Sequence, residues 1–177
     1  INFSGSMDVN VEVTIQNHIQ KEILKTINLK EIILGRVAAR MNFDTKKLIF
    51  ELTENERLNS LDHLVSIIDA YKEMGFATAI DDFGAGYSRY NLMIASPPDI
   101  LKLDMGLIRG VHDNVNQQAV ISGIIAMMKQ LGGQIVAEGV ETKQEYFFLR
   151  SQGITLFQGY LFAKPGFEYL PEPVFPV

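Results

Sequence analysis

Cysteine is absent from this 177-residue sequence, and so are long hydrophobic runs, histidine clusters and any excess of basic charge. Without cysteine there is no disulfide framework and no thiolate to hold zinc or an iron–sulfur cluster, which fits a reducing, cytoplasmic setting. The longest apolar stretch, Ala119–Met128, is interrupted by Ser122 and Gly123 and is too short to span a bilayer. No secretion signal is evident in the first residues. His18, His63 and His112 share no ligand-like spacing, so a histidine-based metal or acid–base site is not expected. The net charge of -5 argues against binding a nucleic-acid polymer, which needs a basic surface. It leaves room for a small anionic ligand, because bound cations reverse the sign of a local site.

What is present is ordinary globular material, 47% hydrophobic and 21% charged, enough for one domain over residues 1–177 with a proper core. Ile1-Asn2-Phe3-Ser4 reads as the end of a short strand, and Gly5-Ser6-Met7 resembles a cloning scar. Ile15, Ile19, Ile23 and Ile27, then Ile33, Val37 and Met41, recur at helical spacing, with a break near Asn28. Lys47–Thr53 (KLIFELT) reads as a buried strand. An amphipathic helix over Glu56–Met74 follows, stopped by Gly75.

Phe76–Phe83 is the second strand, and Asn91–Ile94 a short helical turn closed by Pro97-Pro98. Ile100–Asp104 (ILKLD) is the third strand. The helix Gln117–Leu131 is apolar nearly all round and is expected to be well covered. Gln134–Glu138 (QIVAE) is the fourth strand, after which Thr142 and Glu145 have capping-box spacing for a helix ended by Gly153. Leu156–Phe162 completes the strands, and a Pro-rich tail is expected to pack on the surface.

Strands that alternate with helices and are apolar on both faces predict parallel β/α units. The expected architecture is a (β/α) barrel, with an open doubly wound sheet as the alternative. Five good strands and the doubtful one at Ile1 fall short of the about eight that close such a barrel. An N-terminally incomplete barrel is expected, or one that neighbouring chain material completes.

Each strand carries a polar residue at or near its C-terminal end: Glu51, Asp81 and Asp82, Lys102, Glu138 and Gln158. Singly, each has a bland explanation, and an Asp-Asp before a Gly-x-Gly turn is commonly a solvated strand end. In a parallel barrel, however, these ends converge on one mouth. Several carboxylates and one lysine crowded there repel or desolvate one another unless a cation organises them. All-oxygen ligation is the chemistry of Mg²⁺, Mn²⁺ or Ca²⁺. One shareable aspartate further points to two ions about 4 Å apart, the clamp that hydrolyses phosphodiesters. Lys102 would orient water or stabilise charge on the phosphate.

The motifs ELTE at Glu51–Glu54, DDFGAGYS at Asp81–Ser88, LKLD at Leu101–Asp104, VAEGVET at Val136–Thr142 and QGYLFAKP at Gln158–Pro165 together resemble the EAL domain family of bacterial signalling. The resemblance implies a modified TIM barrel that opens cyclic di-GMP to linear pGpG with Mg²⁺ or Mn²⁺. It implies metal ligation by Asn2, Glu51, Asp81, Asp82 and Glu138, with Lys102 and Glu138 holding the attacking water and Gln158 contacting substrate. Glu54 would anchor a regulatory loop, Phe83, Gly84, Gly86 and Ser88 included, that couples substrate binding to dimerisation. A homodimer, with sensory or cyclase domains in the parent protein, follows from the same resemblance.

There are departures from the family pattern. The Glu-Ala-Leu signature and its nearby Arg do not occur in these 177 residues, Ala85 stands where threonine is usual, and Arg89 where serine is common. Weak or no turnover is therefore expected of the 177-residue chain itself. A non-catalytic module that binds cyclic di-GMP or docks a protein is the alternative. A Schiff-base enzyme using Lys102 fits poorly beside so many acids.

Overall fold

The computed structural model describes residues 34–53, 61–86, 90–169 and 171–176. The strand expected at Ile1–Ser4, most of the helical pattern up to Met41, and the site residues Asn2, Glu54 and Ser88 lie outside the described residues. The chain divides into two compact units, one holding residues 34–51 and 61–78 of those described, the other residues 52–53 and 79–176.

In the first unit, residues 34–40 are helical (α1), followed by a 3-10 turn Thr45–Lys47, strand β1 (Ile49–Thr53), helix α2 (Leu61–Glu73) and the start of β2 (Ala77–Phe83). Ile67 and Tyr71 lie four apart on α2, hence on one face of it. With Phe50 and Phe76 they form a buried cluster, against which Leu34, Leu48 and Met74 pack. The Phe50 and Tyr71 rings stack with centroids 4.4 Å apart, and Phe50 meets Phe76 at 4.9 Å. Lys47 proves to belong to the 3-10 turn, not to the strand. The Asp44 carboxylate accepts the Lys46 N–H at 3.0 Å, and Leu48 donates back to the Thr45 carbonyl, so the extended backbone begins later. Helix α2 ends as expected at Gly75, in the left-handed conformation with φ 79°.

The second unit continues β2 and adds α3 (Tyr90–Ala95), β3 (Ile100–Leu103), α4 (Met105–Ile108), a 3-10 turn Val111–Asp113, α5 (Val115–Leu131), β4 (Gln134–Ala137), α6 (Lys143–Ser151) and β5 (Leu156–Phe157). The strands follow sequence order, β1-β2-β3-β4-β5, and β2 to β5 pair in parallel. This is the β/α repeat from which TIM barrels are built. Leu101 and Leu103 of β3 are fully buried, together with Ile108, Ile121, Met128, Ala137 and Leu149 from the neighbouring elements. Among the described residues no helix is long and apolar enough to cross a membrane.

Two expectations are corrected here. Helix α5 is not covered all round: Ile121, Ile124 and Met128 are buried along one face, while Val115 is 74% and Val120 49% exposed. The three buried residues keep the 3–4 spacing of a single stripe, and Ile125 and Met127 are only partly buried. Strand β5 is also far shorter than Leu156–Phe162. Beyond Phe157 the chain wraps around Val140: Val140 N–H donates to the Gln158 carbonyl at 3.1 Å, and Leu161 N–H donates to the Val140 carbonyl at 3.1 Å.

Gly159 sits so close to Val140 that a Cβ would run into its carbonyl oxygen and its backbone nitrogen. Backbone cannot yield as a flexible side chain can. Gly159→Ala is therefore expected to destabilise the protein by about 2–4 kcal/mol, read as a lowered urea midpoint. Gly153→Ala, where a Cβ would meet nothing within 4 Å, pays only for its φ of 95° and should lose clearly less.

Candidate metal centre

Adjacent residues on a strand point to opposite faces, so two consecutive aspartates do not ordinarily serve one site. Here the alternation is broken. Ile80 pairs with Leu101 and Phe83 with Leu103, which leaves one extra residue in β2 opposite Lys102. Asp82 takes a left-handed φ of 54°, one of the few conformations in which Asp is tolerated better than most residues. Its N–H donates to Asp81 Oδ1 at 3.0 Å. The bulge gathers what a regular strand would separate: Asp81, Asp82 and Glu138 each present an oxygen within 4.8 Å of the others.

Lys102 faces this cluster from the middle of β3, where its neighbours Leu101 and Leu103 point into the core. Its Nζ lies 2.9 Å from Asp81 Oδ1 and 3.0 Å from Glu138 Oε1, with the lysine side chain only 12% exposed. Glu138 follows directly on β4 and extends the ladder, its N–H donating to the Leu103 carbonyl at 3.1 Å. Asp104 does the same on the other side, donating its N–H to the Phe83 carbonyl, while its Oδ1 accepts the Gly106 N–H at 2.7 Å and caps α4.

The charges are unequal, three carboxylates to one ammonium, and the proton affinities follow from that. Burial pushes the Asp82 carboxyl above its ordinary value, and Asp81 and Asp104 push it further up. Burial likewise raises Glu138, with the Lys102 ammonium offsetting part of the rise. Lys102 itself is drawn down by burial but held above its usual value by its hydrogen bonds to Asp81 and Glu138, so it stays charged. A half-buried pocket of oxygens that is short of positive charge is a fit donor set for a hard divalent cation.

The other expected site residues are placed as follows. Glu51 lies on β1, half-buried, in the first unit. Phe83 is the last residue of β2, where its strand pattern places it, 1% exposed, with the Tyr90 ring edge-on at 5.9 Å. At Gly84, with φ 103°, a Cβ would collide with the Leu107 side chain. Gly86 is exposed. Gln158 is exposed at its side chain and held at both backbone groups, its N–H donating to the Ala137 carbonyl at 2.8 Å.

Two features escaped the sequence. Arg109 forms a two-pronged pair with Glu141, 2.7 and 2.8 Å, across 32 residues of chain that no local spacing connects. Glu145, expected as a capping residue, does more than cap. Its 1%-exposed carboxylate accepts N–H groups from Gly110 at 3.0 Å, Glu141 at 3.1 Å and Thr142 at 3.0 Å. Although burial opposes its charge, these bonds hold its pKa below the ordinary value.

The sequence matches the family model described as "EAL domain" over residues 9–165. The chain belongs to the EAL domain family. It is 36% identical over 132 residues to the cyclic di-GMP phosphodiesterase PdeR of Escherichia coli K12, covering 75% of this chain and 20% of PdeR. It is 37% identical over 131 residues to the blue light- and temperature-regulated antirepressor BluF of the same organism, covering 74% of this chain and 32% of BluF. The crystal structure of a standalone EAL protein from Vibrio cholerae O395 with c-di-GMP bound matches with a TM-score of 0.73 and 43% identity, over 78% of this chain and 59% of that one. Klebsiella pneumoniae BlrP1 in a calcium and cyclic di-GMP complex matches at 0.72 and 36% identity, over 79% and 36%. The chain thus spans only part of the length of these relatives. Its parallel β/α repeat is the TIM-barrel-like arrangement of the family.

Replacing Lys102 by Met removes the ammonium that pairs with Asp81 and Glu138. Asp82 and Glu138 have raised pKa values in the fold, so their contribution to stability is largest below the unfolded carboxylate range and is lost as pH rises through the raised values. Lys102→Met deepens that loss. In metal-free buffer it is expected to cost about 2–3 kcal/mol at pH 7 and clearly less near pH 4.5, measured by urea unfolding at both pH values. An equal cost at the two would show that the ammonium does not compensate these carboxylates.

Proposed function

We propose that this chain is part of the catalytic domain of a divalent-metal-dependent phosphodiesterase that opens cyclic di-GMP to linear pGpG, using two Mg²⁺ or Mn²⁺ ions, with weak or no turnover by these 177 residues alone. The observation that carries the reading is the bulge in β2, which brings Asp81 and Asp82 together with Glu138 around Lys102. Support comes from relatives named as cyclic di-GMP phosphodiesterases, PdeR and Pseudomonas aeruginosa NbdA among them. BlrP1 structures are described with calcium or manganese and cyclic di-GMP.

In this reading Asp81, Asp82 and Glu138 hold the ions together with Glu51 and Asn2. Bound divalent ions supply Lewis-acid polarisation of a phosphoryl oxygen and make water acidic enough to attack at neutral pH. Lys102 fixes the orientation of Asp81 and Glu138 and carries a positive charge towards the reacting phosphate. Gln158 meets the substrate, and the loop Glu54, Phe83, Gly84, Gly86 and Ser88 adjusts the site, Phe83 as its buried root. The protein works in the cytoplasm as a homodimer, beside sensory or cyclase domains.

Cyclic di-GMP turnover with Mn²⁺ or Mg²⁺, followed as pGpG by chromatography, tests this in the natural protein that carries the chain. Asp81→Asn and Glu138→Gln are each expected to lower kcat by at least about a hundredfold. Normal turnover by either variant would sink the assignment. Because metal must displace protons from Asp82 and Glu138, the rise in Tm on adding Mn²⁺ should be small near pH 5 and grow towards pH 7.5.

One observation favours a second reading. BluF, named as an antirepressor, is as similar to this chain as the named phosphodiesterases are. A module that binds cyclic di-GMP or docks a protein without hydrolysis would show calorimetric binding of cyclic di-GMP, or of a partner, with no pGpG.

A further inference from the structure

Of the three clustered carboxylates, Glu138 stands just outside the regular ladder. Strand β4 ends at Ala137, and the Glu138 N–H holds on to the sheet by donating to the Leu103 carbonyl at 3.1 Å. From Glu138 to Thr142 the chain then runs to the start of α6 without helix or strand of its own. A carboxylate on such a segment keeps its aim only if other residues lock the segment in place.

Two attachments tie that segment to α4. Gly139, at φ 66°, lies against the start of α4, where a Cβ would come 2.6 Å from Met105 Cβ. At the other end of α4, Gly110 N–H donates to Glu145 Oε1 at 3.0 Å. Glu145 Oε2 accepts the N–H groups of Glu141 at 3.1 Å and Thr142 at 3.0 Å. Helix α4 itself begins beside the bulge, since Asp104 caps it and donates its N–H to the Phe83 carbonyl. It is thus a strut between the strand that carries Asp81 and Asp82 and the segment that carries Glu138. Glu145 is the fastening at its far end. A capping box explains the reciprocal bonds between Thr142 and Glu145. It does not explain the bond to Gly110, 35 residues away, or the burial of the carboxylate at 1% exposure.

We propose that Glu145 is a positioning residue for the carboxylate cluster: through Gly110, Glu141 and Thr142 it sets the place of Glu138 relative to Asp81 and Asp82, and with it the affinity of the cluster for a divalent cation. The inference rests on the cluster being a metal site, and neither on the identity of the substrate nor on its hydrolysis. Reach is what positions. Gln at 145 keeps the length of the side chain and, with its one oxygen on Glu141 and Thr142, the hold on the segment. Asp keeps the charge but is one methylene short of it.

Calorimetric titration with Mn²⁺ alone, in the natural protein that carries the chain, tests this. Glu145→Asp is expected to weaken Mn²⁺ binding by about tenfold and Glu145→Gln by less than about threefold. Thr142→Ala supplies the contrast. It removes the hydroxyl that accepts the Glu145 N–H at 3.2 Å, and so weakens the cap of α6 while the Glu145 carboxylate keeps its three donors. A lowered thermal midpoint with unchanged Mn²⁺ affinity is expected of it. Wild-type affinity in Glu145→Asp would overturn the positioning role, and so would a Gln variant as weak as the Asp one. An equal loss in Thr142→Ala would overturn it as well, because a weakened helix cap would then account for everything. Failure of the unaltered protein to bind Mn²⁺ would overturn the metal reading of the cluster together with this inference. Turnover plays no part in the readout, so absence of pGpG would count against the phosphodiesterase reading alone.

Discussion

A strand presents alternate residues to alternate faces, and a pair of adjacent aspartates can share one ion only where that rule is suspended. The extra residue in β2 suspends it. By opposing Lys102 with Asp81 and Asp82 together, the bulge turns a local irregularity of the ladder into a cluster of three carboxylates and an ammonium. The cost is borne by Asp82, a non-glycine residue at φ 54°, and by a gap in the β2–β3 pairing. Hydrogen bonds on both sides contain the damage: Asp104 N–H reaches Phe83 just beyond the bulge, and Glu138 N–H reaches Leu103. The sheet therefore resumes at once, and the carboxylates are held by rigid elements although none of them sits in a regular strand position.

Around this centre the segments that follow the strands are cross-linked by a small number of buried groups. Glu145 is the most economical of these. One fully buried carboxylate ties the left-handed Gly110 after α4 to Glu141 and Thr142 at the start of α6. A charge in that position is tolerable only because three N–H donors satisfy it, and removal of any donor would leave a buried anion short of partners. Gly159 plays the matching role for the turn after β5, which closes on Val140 through backbone bonds alone. Between these two fastenings lies Glu138, whose carboxylate must hold its position against Lys102. The outer end of the sheet is thus stiffened by backbone donors where the side chains are occupied with charge.

The strand-and-helix order was legible because it rests on local chemistry: Gly75 as a left-handed stop, Thr142 with Glu145 as a capping box, and Leu101 and Leu103 flanking an isolated lysine. The polar strand ends were legible for the same reason. What was not legible depends on contacts between distant residues. Leu156–Phe162 has the composition of a strand, but the turn at Gln158–Leu161 is dictated by Val140, which no local pattern reveals. Helix α5 is rich in apolar residues at every angle, and only the burial of Ile121, Ile124 and Met128 shows which face was meant for the core. Phe83 ends β2 as its strand pattern predicts, but the edge-on contact of its buried ring with Tyr90 was not legible. The Arg109–Glu141 pair is invisible in sequence because a salt bridge across two loops leaves no periodicity.

Lys102 is the residue in which structure and chemistry meet most closely. A lysine in the middle of a buried strand would normally be drawn towards neutrality, but here two carboxylates outweigh burial and keep it charged. It satisfies Asp81 and Glu138 at 2.9 and 3.0 Å, and leaves Asp82 with the burial and the negative neighbours that raise its pKa. The site is thus compensated on one side and deficient on the other. Under the proposed function, a cation entering the deficient side would gain Asp82 outright and would share Asp81 and Glu138 with the lysine, without breaking the clamp that positions them. That asymmetry holds two of the three carboxylates in place whether or not an ion is bound. Proton release from Asp82 and Glu138 would then be the step that links metal binding to pH.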